Sequence, residues 1–200
     1  MEVEVTVMLT WRKEWIGPFD STWSIFEKIR LVNSINETDL LSIINPEYKK
    51  RQRKYRNINT LIGFNLTELE RQGVYLRVTL DSMERLKQIV NIPIYHVSVY
   101  HSHLVYCSQC LDNDYHSFLH QFKLINNCPF HLSDLIDKCE KCNKVIYVHN
   151  LSNNTPFCCS CGQSLKQSFD DPLWKKWGGE VHIKDDIVLS WLNKVGIMKS

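Results

Sequence analysis

The first 106 residues contain no cysteine; all eight fall between Cys107 and Cys161. Disulfides that frame a secreted domain are spread along it, so this crowding excludes such a framework and points to metal. Positive charge is missing from the N-terminus as well. Met1-Glu2-Val3-Glu4-Val5-Thr6 opens on acids where a signal peptide carries cations ahead of its apolar block, and a cytoplasmic protein is expected. No apolar run reaches the roughly 18 residues that a spanning helix needs, so no membrane partner is expected. Net charge is scarce too: +2 with 23% charged residues neither demands nor excludes a nucleic-acid partner, and charge placement has to decide. With 44% hydrophobic residues, 200 residues bury one sizeable core, or a smaller core beside a metal-stapled module.

Residues 1–17 read as an extended, aromatic arm closed by Gly17-Pro18. Asp20 or Ser21 can cap a helix on which Trp23, Phe26, Ile29 and Val32 recur at three-residue steps, widened by Ile25. A polar turn, Asn33 to Asn36, leads to a second helix over 38–44 with Leu40, Leu41 and Ile44 inward, and the pair is helix-turn-helix-like. Thr67 and Glu70 have capping-box spacing ahead of Gly73, which predicts a short helix over 67–72. Thr79 or Asp81 starts another, with Leu80, Met83, Leu86, Ile89 and Val90 inward and Pro93 beyond it. The β-branched and aromatic residues of 94–106 predict one or two short strands, and Asp185 or Asp186 to Lys194 a last helix. The fold class expected is therefore small α+β: an arm and helical part over 1–93, a double zinc-knuckle or zinc-ribbon module over 94–169, and a helical segment over 170–200.

The cysteines carry the chemistry. Cys107-x2-Cys110 is answered, after seventeen intervening residues, by Cys128-x2-His131, and Cys139-x2-Cys142, after fifteen, by Cys158-x2-Cys161. Zn²⁺ takes four such donors tetrahedrally, and a Cys-x2-Cys turn puts both sulfurs on one side of a tight knuckle. Two Zn²⁺ are expected, each in a shell completed by protein and so structural. His131 is the donor that completes the first set. Cys158 and Cys159 compete in the second; the two-residue gap to Cys161 favours Cys158 and leaves Cys159 a free thiol, with Cys159-x-Cys161 as the alternative. His101, His103, His116 and His120 lie off the ligand spacing and read as exposed or second-shell side chains, the last two able to share one face of a short helix.

Phe19-Asp20-Ser21-Thr22-Trp23-Ser24-Ile25-Phe26, then Val105-Tyr106-Cys107-Ser108-Gln109-Cys110-Leu111, then Tyr115 and the aromatic stretch to Phe122, then Cys128-Pro129-Phe130-His131 and the second cysteine set ending in Gly162, follow one another in order. That order resembles the TniQ/TnsD family of transposon target-selection proteins. The resemblance spans about residues 11 to 165 and is most specific over 105–142. It implies a bacterial adaptor that recognises a target, directly on DNA or through an RNA-guided complex, and recruits the transposon's AAA+ ATPase and through it the transposase. No catalytic residue carries over, and an enzyme is not expected. Longer members carry C-terminal DNA-reading domains, whereas this sequence stops at Ser200, as a compact member or as the N-terminal part of a longer protein.

Two surfaces are candidates for partners. Lys49, Lys50, Arg51, Arg53, Lys54 and Arg56 put six cations in eight positions, a composition suited to non-specific contact with the phosphates of double-stranded DNA. Trp11, Trp15 and Phe19 are residues of the kind that dominate protein interfaces, or else pack on the chain's own core. The alternative function class is a zinc-ribbon DNA-binding transcriptional regulator unrelated to transposition, and a third is a metal-dependent hydrolase.

Overall fold

The structure, a computed structural model, describes residues 8–44, 64–90, 98–147, 155–167 and 173–198. Helix α1 (Thr22–Asn33) begins where the Ser21 hydroxyl accepts the Ser24 N–H at 3.0 Å, and ends at Ser34, whose left-handed backbone (φ 52) turns the chain. Trp23, Ile25, Phe26 and Ile29 are buried as expected and Val32 is half-buried, but every other residue from Thr22 to Arg30 is buried too, including Glu27, Lys28 and Arg30. α1 is therefore a central strut and not a surface helix with one inward face.

Helix α2 (Glu37–Ile44) is opened by the Asn36 side chain, which accepts from Asp39 N, and buries Leu40, Leu41 and Ile44 as expected. In α3 (Leu66–Arg71) the cap is Asn65, bonded to Glu68 N, and not the capping box expected from Thr67 and Glu70; Gly73 does take the left-handed position after its end. Helix α4 (Arg77–Lys87) starts two residues before Thr79, without a side-chain cap, and buries Met83 and Leu86. α5 (Ser108–Leu111) is one turn, and α6 (Asp186–Lys194) is capped by Asp185 as its sequence predicts.

No ladder forms over the described part of the expected strand region. Tyr100, His103 and Tyr106 each make a single antiparallel bridge, to Phe122, Tyr147 and Ile136 respectively. Three different partners within seven residues prevent any one pairing from propagating, because the chain runs past a new segment every few residues. Positions 94–97 of that expected strand lie outside the described residues.

Two apolar clusters hold the molecule; both cross the boundary expected at 93, and the second also crosses that expected at 169. One joins α1, α2 and α3 to Leu104, Tyr106, Cys139, Phe157, Cys159 and Leu165. The other joins α4 and α6 to Cys107, Cys110, Phe118, Phe122 and Cys128. Each metal-site candidate is thus built into a core shared with helices far away in sequence.

The arm is clamped at Gly178. That residue has φ +75, and a Cβ there would lie 1.7 Å from the carbonyl oxygen of Glu14. Trp15 stacks edge-on with both Trp11 and Trp177 at 5.5 Å, which fixes the same junction. Gly178→Ala combines left-handed strain with a backbone overlap, and is expected to cost about 2–3 kcal/mol. Thermal unfolding checks this, and an unchanged melting temperature would show that the arm does not lie on this turn.

Candidate metal centres

Cys107 precedes α5 and Cys110 lies within it, three residues on, so one helical turn sets both sulfurs on the same side. The partner knuckle is closed by Leu132, left-handed at φ 59, whose N–H bonds to Cys128 O at 2.8 Å. Asn143 (φ 56) repeats the device on Cys139 O, and Gly162 (φ 83) on Cys159 O. Backbone N–H groups of Cys110 and Phe130 point at the sulfurs of Cys107 and Cys128, and those of Cys161 and Gln163 at Cys159 and Cys161. Such amides stabilise thiolates.

These turns bring together Cys107, Cys110, Cys128 and His131 in one group and Cys139, Cys142, Cys159 and Cys161 in another, the four donor atoms of each within 4.8 Å of one another. A tetrahedral Zn²⁺ with bonds of about 2.3 Å holds its sulfurs about 3.8 Å apart. Sulfur pairs stand at 3.6 Å for Cys110–Cys128, 3.7 Å for Cys139–Cys161 and 3.8 Å for Cys142–Cys159, and His131 Nδ1 lies 3.3–3.5 Å from its three sulfurs. All eight cysteines are free thiols. The donor sets fit two ions, with metal identity open on geometry alone and soft sulfur donors favouring zinc.

Protonation in the sulfur sets argues the same way. Cys110 and Cys128 donate to Cys107, holding its thiol below the usual range, while Cys110 is pushed up and Cys128 reaches about 11. Cys161 falls to about 7, first because the Gln163 N–H bonds to it, and burial raises Cys159 to about 12. Thiols packed this closely cannot all ionise alone; a divalent cation replaces their protons and removes the conflict.

The ligand assignment at the double cysteine is corrected. Cys159 joins the second group and Cys158 does not. Phe157, left-handed at φ 56, turns the chain just before the pair; Cys159 is buried in the core with its sulfur in the second group, while Cys158 is half-buried in a bridge to Ser164 outside that group. The other seven expected ligands lie where the spacing puts them. His116 and His120 are fully buried, which removes the exposed alternative and leaves the supporting one; His116 lies just before a short 3-10 turn, Phe118–Gln121, and His120 within it.

His116 ties the two halves of the chain. Its Nε2 donates to Val105 O at 2.9 Å, so its Nδ1 accepts the Ser21 hydroxyl at 2.7 Å. Beside it, Phe19 O accepts both Phe118 N and Ser117 Oγ, and Asp20 bridges Ser117. Burial lowers the His116 pKa from 6.5 to about 4. The unfolded chain therefore takes up this proton first, and stability present above pH 6.5 is lost as pH falls toward 4, at up to about 1.4 kcal/mol per pH unit. Urea unfolding at pH 6.5 and 5.5, with zinc content constant, is expected to give a weaker pH dependence in His116→Gln than in the native chain; equal slopes would contradict it.

Ionic ties reinforce the joint. Lys28 Nζ bonds Asp20 Oδ2 at 2.6 Å, Arg30 bonds Glu27 Oε1 at 2.7 Å, and Lys166 pairs with Asp114. Glu27 Oε2 accepts the N–H of Phe157, next to the second sulfur set, at 2.6 Å. Burial pushes the Asp20 and Glu27 carboxyls up, and Lys28 and Arg30 pull them back.

Of the partner candidates, Trp11, Trp15 and Phe19 are half-buried in the chain's own fold, Phe19 against Phe118 and Phe130. Lys49, Lys50, Arg51, Arg53, Lys54 and Arg56 lie outside the described residues. Among described helices none is long and apolar enough to cross a membrane. No protein-family model matches the chain, and no curated protein matches it either.

Proposed function

We propose that this chain is a non-enzymatic adaptor in DNA transposition, a compact scaffold stapled by two Zn²⁺ that links target DNA, or a target-recognition complex, to a AAA+ ATPase and so to a transposase. The observation that carries the reading is the contact between the two stretches that bear the TniQ/TnsD resemblance. Residues 19–21 bond directly to residues 116–118, so the early Asp-Ser segment and the aromatic stretch that follows the first knuckle form one unit. Contact between the two motifs, nearly a hundred residues apart, supports reading them together.

In this reading zinc supplies folding energy and no chemistry, since four protein donors fill each shell. Cys107, Cys110, Cys128 and His131 hold one ion, Cys139, Cys142, Cys159 and Cys161 the other. The helix-turn-helix likeness of α1 and α2 is not assigned a groove-reading role: the N-terminal turn of α2 carries Glu37 and Asp39, which phosphates repel. DNA contact falls to the basic run. Neutralising Arg51, Arg53 and Lys54 together is expected to lower the slope of log K against log salt by up to about 3, each lost phosphate contact contributing roughly 0.9. Fluorescence anisotropy on a random duplex checks it, and an unaltered slope rules the run out.

The function itself is tested by co-precipitation of the tagged chain with the AAA+ ATPase encoded nearest its gene, in ATP and duplex DNA. Stoichiometric capture supports the adaptor. Tight, sequence-specific DNA binding by the chain alone, with neither an ATPase nor a transposase encoded nearby, would make it a zinc-ribbon regulator instead.

A further inference from the structure

Two histidines stand beside the first sulfur set, and they are not equivalent. His131 Nδ1 is nearly equidistant from Cys107, Cys110 and Cys128, at 3.5, 3.3 and 3.5 Å, the place of a fourth vertex. His120 Nε2 lies 3.5 Å from Cys128 Sγ and 3.8 Å from Cys110 Sγ, over the edge that joins them. Its other nitrogen, Nδ1, faces the backbone N–H of Ser117 at 3.4 Å, which it accepts. A neutral imidazole carries one N–H. With Nδ1 accepting, the hydrogen is on Nε2, the atom that faces the two sulfurs.

The chemistry of the site gives that N–H a purpose. Three thiolates around one divalent ion leave a net negative charge in a pocket whose sulfurs are almost wholly buried, and such charge is costly without donors aimed at it. Cys107 has Ser133 Oγ at 3.4 Å. For Cys110 and Cys128 the side-chain donor is His120, fully buried and wedged between His116 and Phe130.

We infer that His120 is a positioning residue for the first zinc site: its Nε2–H donates to the Cys128 and Cys110 thiolates, holds them on the metal and lowers their nucleophilicity. The inference rests on zinc occupying this site and is independent of the transposition reading. It also separates two roles that a ligand count merges, with His131 bonded to the ion and His120 acting through the sulfurs.

The test uses two amide substitutions in the full zinc-loaded chain. In His120→Gln the amide nitrogen reaches the place of Nε2, whereas in His120→Asn it reaches only that of Nδ1; both bury one amide, so a merely structural cost is common to them. Alkylation by N-ethylmaleimide is followed at each cysteine by peptide mass spectrometry, with zinc per chain measured on the same samples. In His120→Asn, Cys128 and Cys110 are expected to react about tenfold faster relative to Cys107, the scale on which outer partners tune a metal site. His120→Gln is expected to return most of that protection, and both variants to keep two zinc ions. An equal change at all three cysteines, no change, or identical behaviour of the two variants overturns the inference. A fall to one zinc in both variants alike, or fewer than two zinc ions in the native chain, likewise overturns it.

Discussion

Cys159→Ser is expected to halve the zinc content of the chain, from two ions to one, while Cys158→Ser leaves both in place. The two residues are neighbours, yet only Cys159 Sγ belongs to the group with Cys139, Cys142 and Cys161. Its loss should do more than empty a site. Cys139, Cys159, Phe157 and Leu165 belong to the same apolar cluster as α1 and α2, so the N-terminal helices lose their floor when the knuckles open. Structural zinc contributes about 10–16 kcal/mol of apparent binding free energy in small domains, which exceeds the whole stability of most of them. Cys159→Ser, and equally a strong chelator acting on the native chain, is therefore expected to abolish cooperative unfolding as followed by near-ultraviolet circular dichroism. Cys158→Ser melting as the native chain, with two zinc ions, is the matching control; the reverse pattern would return the ligand role to Cys158.

Glu27→Ala is the second large effect. One carboxylate oxygen receives Arg30 and the other the backbone N–H of Phe157, with both side chains at most 1% exposed. Removing one partner of a buried ion pair leaves the other charged in a medium that solvates it poorly, at a cost of about 3–5 kcal/mol. Here the loss is compounded by an orphaned amide beside the second metal set. Replacing both charges removes much of the penalty, so Glu27→Ala with Arg30→Met should be less destabilised than the sum of the single variants. Additive values in a denaturant-unfolding cycle would mean that the pair is not coupled.

Most of this architecture was legible in the sequence because it rests on local rules. Ser21 and Asp185 cap helices by side-chain geometry within three residues, and the knuckles are short turns whose ligands recur at fixed steps. At the double cysteine the commoner ligand spacing favours Cys158, and the structure takes the alternative, Cys159, because a left-handed turn at Phe157, which no glycine announces, sets which sulfur meets the other three. What the sequence concealed is long-range. Nothing local foretells that Glu27 meets Phe157, that Ser21 meets His116, or that Gly178 lies under the carbonyl of Glu14. For the same reason α1 reads as one-sided, because the partners that let Lys28 and Glu27 be buried, Asp20 and Phe157, lie outside the helix. The short bridges of 98–106 likewise follow from where the metal-site loops run and not from β-propensity.

The central claim is that two closed tetrahedral shells, one of three sulfurs and a nitrogen and one of four sulfurs, organise the second half of the chain. Zinc K-edge X-ray absorption on the purified protein, with metal content determined on the same sample, tests it most directly. Two zinc ions per chain with a mean shell of about 3.5 sulfurs and 0.5 nitrogen per ion, and no water oxygen, is the predicted result. A shell with an oxygen donor, or fewer than two tightly held ions, would contradict it.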